Sequence, residues 1–366
     1  MRWARARITV RVLELVLLAC GLALPAPAQK KKDDTQVLQL PKDLPAAVEG
    51  DPTHLTFYVT PLSSKGNLSK QVHDALAALS HESRGDSILK IRAFVAGSGD
   101  GRRVRDIVSE VFTERKQALP ALSLVQSGGL PDDAQVVLEA VAETKKDVNP
   151  QGLAFLAAQS AAAEDPGGAV KPLATQSLAA LRTAVAKSGA EPADVLRVSC
   201  FLSSLAEVAA VRQLVEQDYP KAAADFVQTQ RSPAHGLAAC EAVARLRANP
   251  GAGLKVIAGE GGAPQIALVA ASHVVLTGTQ VSFGFEVKDS RLAFQRVQKS
   301  LEQAGTSMHQ VAFAHFYPLA NPIAAQIAKL RGEFFDAAQP PASSMLLFEG
   351  LVSMDAGFAV DLVAVK

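Results

Sequence analysis

The feature that most constrains this chain is that it repeats itself three times. Asp86-Ser-Ile-Leu-Lys-Ile-Arg-Ala-Phe-Val95 lines up with Pro192-Ala-Asp-Val-Leu-Arg-Val-Ser-Cys-Phe-Leu202 at a shift of 107 residues, pairing Leu89 with Leu196 and Phe94 with Phe201. A further shift of 116 brings Ser188-Gly189 onto Ala304-Gly305 and Val195 onto Val311. Self-similarity at a fixed period marks a chain built from equivalent structural units. Each copy is rich in β-branched and aromatic residues and reads as a strand, followed by a short loop and an amphipathic helix.

The helices have legible boundaries. In the second repeat Ser204-Leu-Ala-Glu207 has the form of a capping box ahead of the stripe Val208, Val211, Leu214 and Val215. In the third, Asn321 is placed to cap and Pro322 to open a helix carrying Ile323, Ile327, Leu330 and Phe334. In the first, Val104, Ile107, Val108, Val111 and Phe112 make the stripe. An earlier helix precedes each strand, marked by Val72, Leu76 and Leu79, by Leu178, Leu181 and Val185, and by Phe294, Val297 and Leu301. Gly189 and Gly305 stand where a left-handed C-cap ends a helix. Further strands are expected over 55–60, 153–158 and 274–281, and later over 135–142 and 358–365. A Pro-Ala pair follows the second helix of each repeat: Pro120-Ala121, Pro233-Ala234 and Pro341-Ala342. Gly97-Ser98-Gly99-Asp100-Gly101 lacks the Lys-Ser/Thr of a phosphate loop and reads as a strand-to-helix turn.

Each unit is therefore α+β, about 110 residues long. Its helices cover one sheet face. The other face is apolar too, because Val311, Phe313, His315 and Tyr317 alternate with Ala312, Ala314 and Phe316. One repeat cannot cover both faces, so the three repeats are expected to pack their open sheet faces on each other.

This order resembles the RidA (YjgF/YER057c) family of small α+β proteins. The resemblance rests on the Ser188–Val198 stretch, Gln217-Asp-Tyr219, Pro233-Ala234 and the Leu130–Ala142 stretch, and extends over most of residues 37–366 in three copies. It implies a chorismate-mutase-like barrel that separate family members form as homotrimers, with clefts between subunits. This chain then looks like a covalent, monomeric pseudo-trimer with repeats at 37–148, 149–250 and 251–366.

The family hydrolyses enamines and imines to keto acids and ammonia. An Arg directly after Pro-Ala grips the substrate carboxylate, a use suited to its bidentate fork, and a Glu on the last strand positions water. Here the residue after Pro-Ala is Leu122, His235 or Ser343, and the water-positioning Glu falls on Val137, Ala239 or Ala359. Glu139, Glu241 and Asp361 lie two residues later, where the family often has a second, non-catalytic acid. The resemblance thus implies a small-metabolite binder with a degenerate deaminase site. The alternatives are an active imine deaminase in one cleft and a non-catalytic scaffold. The site candidates are His235 as an acid or base, with Leu122, Arg231, Ser343 and Ser344 as ligand contacts. Packing or loop roles compete for each. His315 and Tyr317 share a strand face; core packing competes there with a central polar channel. A small carboxylate or imine-like metabolite is the expected partner, and no cofactor or metal is expected.

Lys+Arg 37 against Asp+Glu 36 leaves no footprint for nucleic acid. Residues 1–28 read as a signal peptide: Arg2, Arg5, Arg7 and Arg11, then an apolar run from Val12 to Leu24, then Ala26-Pro27-Ala28. Cleavage would remove four arginines and one glutamate and take the formal charge from +1 to −2. A polar leader is expected over 29–36. The protein is thus expected to be periplasmic or secreted and free of the membrane, with an uncleaved anchor or lipidation at Cys20 as minor alternatives. Export permits a disulfide between Cys200 and Cys240, but two buried thiols are the expected state.

Overall fold

The computed structural model describes residues 40–97, 99–230 and 235–366. The signal peptide, the leader, Cys20, Arg231 and Pro233-Ala234 lie outside them. After β1 (Ala47–Gly50), the first lobe runs β2 (Leu55–Val59), α1 (Leu68–Glu82), β3 (Ser87–Ala96), α2 (Gly101–Glu114), β4 (Ala121–Ser127) and β5 (Val136–Glu143). The second runs β6 (Leu153–Ala163), α3 (Val170–Lys187), β7 (Val195–Leu202), α4 (Val208–Asp218), β8 (Ala223–Gln228) and β9 (Gly236–Arg245). β10 (Leu254–Ala258) and β11 (Pro264–Val269) lead to the third: β12 (Val274–Thr277), β13 (Gln280–Phe283), α5 (Val287–Gln303), β14 (Val311–Pro318), α6 (Asn321–Leu330), β15 (Ala342–Met345), β16 (Gly350–Leu351) and β17 (Ala356–Val365). The succession strand, helix, strand, helix and closing strands thus recurs in each lobe, with one strand rather than the expected two ahead of α3 in the second.

The sheets trade strands across the expected boundaries. The first has the order β16-β4-β3-β5-β2, the second β10-β11-β6-β9-β7-β8, and the third β1-β12-β17-β14-β15 with β13 also on β17. The division expected at 250/251 therefore does not coincide with the sheets, because β10 and β11 extend the second. β1 pairs with β12, and β16 pairs with β4, so the first and third lobes each hold a strand of the other. The single strand expected over 274–281 is two, broken at Gly278-Thr279. Gly278 donates to the Ala46 carbonyl and Thr279 to that of Leu122. A Cβ on Gly278 would sit 2.6 Å from the Leu122 carbonyl oxygen, so only glycine allows this approach.

Local signals were met unevenly. Gly189 and Gly305 take positive φ at their helix ends, as expected. Asp100 accepts from the amides of Arg102 and Arg103 and starts α2 in the turn read from sequence. The Ser204–Glu207 capping box does not form. The Glu207 carboxylate instead accepts from the amides of Val170 and Lys171 and caps α3. Asn321 is already within α6, behind Ala320. Cys200 and Cys240 face each other across β7 and β9 and form a disulfide rather than two thiols, because the ladder register sets them opposite.

Each sheet buries one face under its own two helices. The other faces meet on a common axis. At one end Phe57, Phe155, Leu276 and Phe313 pack together, from all three lobes. At the other Phe94, Phe201, Tyr317 and Phe348 do so, with ring centroids 5.2–6.4 Å apart. Burying each ring stabilises by about 1.5–3 kcal/mol. The expected joining of open sheet faces is what the chain does.

Candidate functional site

Between the two apolar layers the axis carries a buried charged layer, and the ladders show why. Arg92, Ser199 and His315 occupy one position on β3, β7 and β14; each faces the acid of its own lobe on the antiparallel neighbour, Glu139, Glu241 and Asp361. On the parallel neighbour each faces Ser123, Asp225 or Ser344. Two residues earlier stand Lys90, Arg197 and Phe313. In a pleated strand these alternate residues share a face, and here that face meets the axis.

Some of the bonds stay within a lobe and others cross between lobes. Lys90 Nζ lies 2.6 Å from Asp361 Oδ1. Arg92 Nη2 is 2.5 Å from Glu139 Oε2, and Arg197 Nη1 is 3.1 Å from the same oxygen. His315 lies 2.8 Å from Glu241 through Nε2, 3.2 Å from Asp361 through Nδ1, and 2.8 Å from Arg92 Nη1. The Tyr317 hydroxyl donates to Asp361 at 2.9 Å. His315 and Tyr317 are thus parts of a polar network rather than simple packing.

Burial alone would raise every acid here. Arg197 and Arg92 outweigh it at Glu139 and hold that carboxyl far below the ordinary range. His315, then Arg92, bring Glu241 down to about 2. Lys90 and His315 hold Asp361 well below its usual value. Burial pushes the Lys90 ammonium down in spite of Asp361.

Asp225 behaves oppositely. In the other lobes the same position is a serine: Ser123 donates to Asp361 at 2.8 Å and Ser344 to Glu241 at 2.6 Å. Asp225 stands in that place beside Glu139, and burial together with the Glu139 charge pushes its carboxyl well above the ordinary range. Among the described residues neither of its oxygens has a donor. A protonated Asp225 donating to Glu139 reproduces what the serines do.

The seams between lobes differ. Between the first and second lies a cleft of about 430 Å³ with Thr60, Leu62, Asp132, Val137, Arg212 and Ala224 in its walls. Arg212 lies 5.1 Å over the Phe226 ring. Between the second and third a cleft of about 450 Å³ is lined by Gln159, Lys187, Glu260, Gln265 and Ser343. Between the third and first, Thr279 and Gly278 fill the equivalent place on Leu122, which is buried.

These positions locate the sequence candidates. Lys90, Arg197 and Phe313 pair with Ala121, Ala223 and Ala342. The position after the Pro-Ala alanine is therefore Leu122, Ala224 or Ser343. His235 is not its counterpart, because β8 begins ten residues before Pro233. His235 is exposed and directly precedes β9. Ser343 accepts from Arg331 at 3.2 Å and lines a cleft, whereas Ser344 points to the axis. Phe94, Phe201 and Tyr317 pair with Val137, Ala239 and Ala359, so those three are equivalent as expected. Lys90, Arg92, Arg197, Arg212 and Asp225 were not singled out from sequence. The alternation of charge in Lys90-Ile91-Arg92 was the available signal.

The solved structures similar to this chain include Rid-family proteins. One is a Yersinia pestis protein of unknown function from the conserved Rid family, 16% identical, covering 31% of this chain and 100% of its own, with a TM-score of 0.29. A Mycobacterium tuberculosis member of the highly conserved YjgF/YER057c/UK114 family is 15% identical over 31% of this chain and 99% of its own, TM-score 0.24. A Neisseria meningitidis member of the YjgF family is 13% identical over 31% and 94%, TM-score 0.25. At these identities the likeness concerns fold alone. No family model and no curated protein sequence matches the chain.

Proposed function

We propose that this protein is a RidA-type pseudo-trimer that binds a small organic anion in the cleft between its first and second lobes without hydrolysing it. The observation that carries this is Arg212, half-buried in that cleft and stacked on Phe226. A guanidinium held on an aromatic face is oriented to meet a carboxylate through its edge. The positions of the family's gripping Arg and water-positioning Glu are Ala224 and Val137 in this cleft, so the hydrolytic pair has no counterpart there. The Cys200–Cys240 disulfide supports an oxidising, extracytoplasmic setting.

Calorimetry with pyruvate and 2-oxobutanoate tests the reading. Binding is expected, weakened at least about tenfold in Arg212→Ala, the scale of one charge-assisted hydrogen bond. A 2-aminoacrylate generating system is expected to yield keto acid and ammonia only at the uncatalysed rate. Turnover lost in His235→Ala would establish the deaminase instead, and absence of binding to any small carboxylate would leave a scaffold.

A further inference from the structure

Where the charged layer meets the apolar layer of Phe57 and Phe155 there is a cavity of about 30 Å³. Its charged lining is lopsided. Lys90, Arg92 and Arg197 border it, against one carboxylate, Glu139; His315 completes the polar side. The remainder is Phe57, Phe155, Phe313 and neighbouring aliphatic side chains.

Donors exceed acceptors here. Both oxygens of Glu139 are taken, by Ser199 and by the two arginines. Both of Glu241 are taken, by His315 and Ser344. Both of Asp361 are taken, by Lys90 and by Ser123 with Tyr317. Among the described residues the Nε–H groups of Arg92 and Arg197 have no acceptor, although both side chains are more than nine-tenths buried. The Lys90 ammonium has three N–H groups and makes one hydrogen bond, to Asp361. A buried donor without a partner costs about 1–3 kcal/mol, and arginine and lysine have no means of accepting instead.

We propose that this cavity is a halide site, holding one chloride between Lys90, Arg92 and Arg197. The space is small and suits a monatomic guest. Water answers the donors less well, since its own two hydrogens then need acceptors and the one carboxylate in the lining already takes Ser199, Arg92 and Arg197. A halide accepts from every side and donates nothing.

Two measurements on the full chain decide it. Crystals soaked in sodium bromide are expected to show an anomalous peak in the cavity. Thermal or urea unfolding at fixed ionic strength, with gluconate exchanged for chloride, is expected to show stability rising with chloride. Once the site is saturated, each tenfold rise raises the folding constant about tenfold. Arg197→Lys keeps the charge, removes the Nε–H and is expected to move this dependence to higher chloride. Should that variant not fold, the bromide peak and the wild-type titration still decide. No bromide in the cavity overturns the site. Stability indifferent to chloride does so too, since a peak would then report an adventitious ion only.

Discussion

At the seam between the third and first lobes a serine, Ser123, donates to Asp361, and the outer cleft is filled where Thr279 bonds to Leu122. At the seam between the first and second, an acid, Asp225, stands against Glu139, and the cleft is open with Arg212 in its wall. The axial register is the same at both, although only the seam between third and first exchanges edge strands. On that shared register the residues differ, and the difference shows what joining three units in one chain permits. In an assembly of identical subunits one change alters every seam. Here one seam is closed while another stays open.

The sharpest way to break this contrast is at the closed seam. Asp361→Ala leaves Lys90 buried without its carboxylate and strips Ser123 and Tyr317 of their acceptor. We expect a loss of about 3–5 kcal/mol in urea unfolding, the cost of orphaning a buried charge. An effect near zero would show that the axial pairs contribute no net stability. Next is Gly278→Val, which drives a side chain onto the Leu122 carbonyl. A loss of about 1–3 kcal/mol is expected, whereas the same loss without opening of the seam in a crystal structure would point to strain elsewhere.

The smallest effect is at the open seam, and its sign is what matters. The Asp225 carboxyl is raised above its unfolded value near 3.8. Its contribution is therefore fully present below that value and declines as pH rises through the folded one. Asp225→Asn, neutral at every pH and still able to donate to Glu139, is expected to flatten that decline and to be the more stable protein at pH 7. A variant that is less stable at pH 7 would mean Asp225 is ionised. Glu139, Glu241 and Asp361 act in the opposite sense. Their stabilisation holds above the usual carboxylate range and is lost only as pH falls toward the depressed values, about 2 for Glu241.

The repeat, the helices and the two-sided sheets could be read from residue patterns, because each depends on neighbours close along the chain. The second lobe's parallel strand escaped notice. Ala223–Gln228 lacks the proline that precedes Ala121 and Ala342, and Pro233-Ala234 supplied a false register. The axial layer was hidden for a different reason. Lys90 and Asp361 are 271 residues apart, and a charge on alternate strand positions looks like a solvent face until three sheets are closed together. The Cys200–Cys240 bond was equally invisible, since it depends on which residues a ladder sets opposite.

The exchange of edge strands between the first and third lobes has a consequence for how the molecule is made. β1 leaves the ribosome early, yet its partner β12 and the ladder behind it come from the far end of the chain. Until the third lobe has been made, β1 and β4 hold open hydrogen-bonding edges of the kind that recruit other chains. A nascent molecule of this architecture is thus expected to gain from separation from its neighbours for as long as its third lobe is missing.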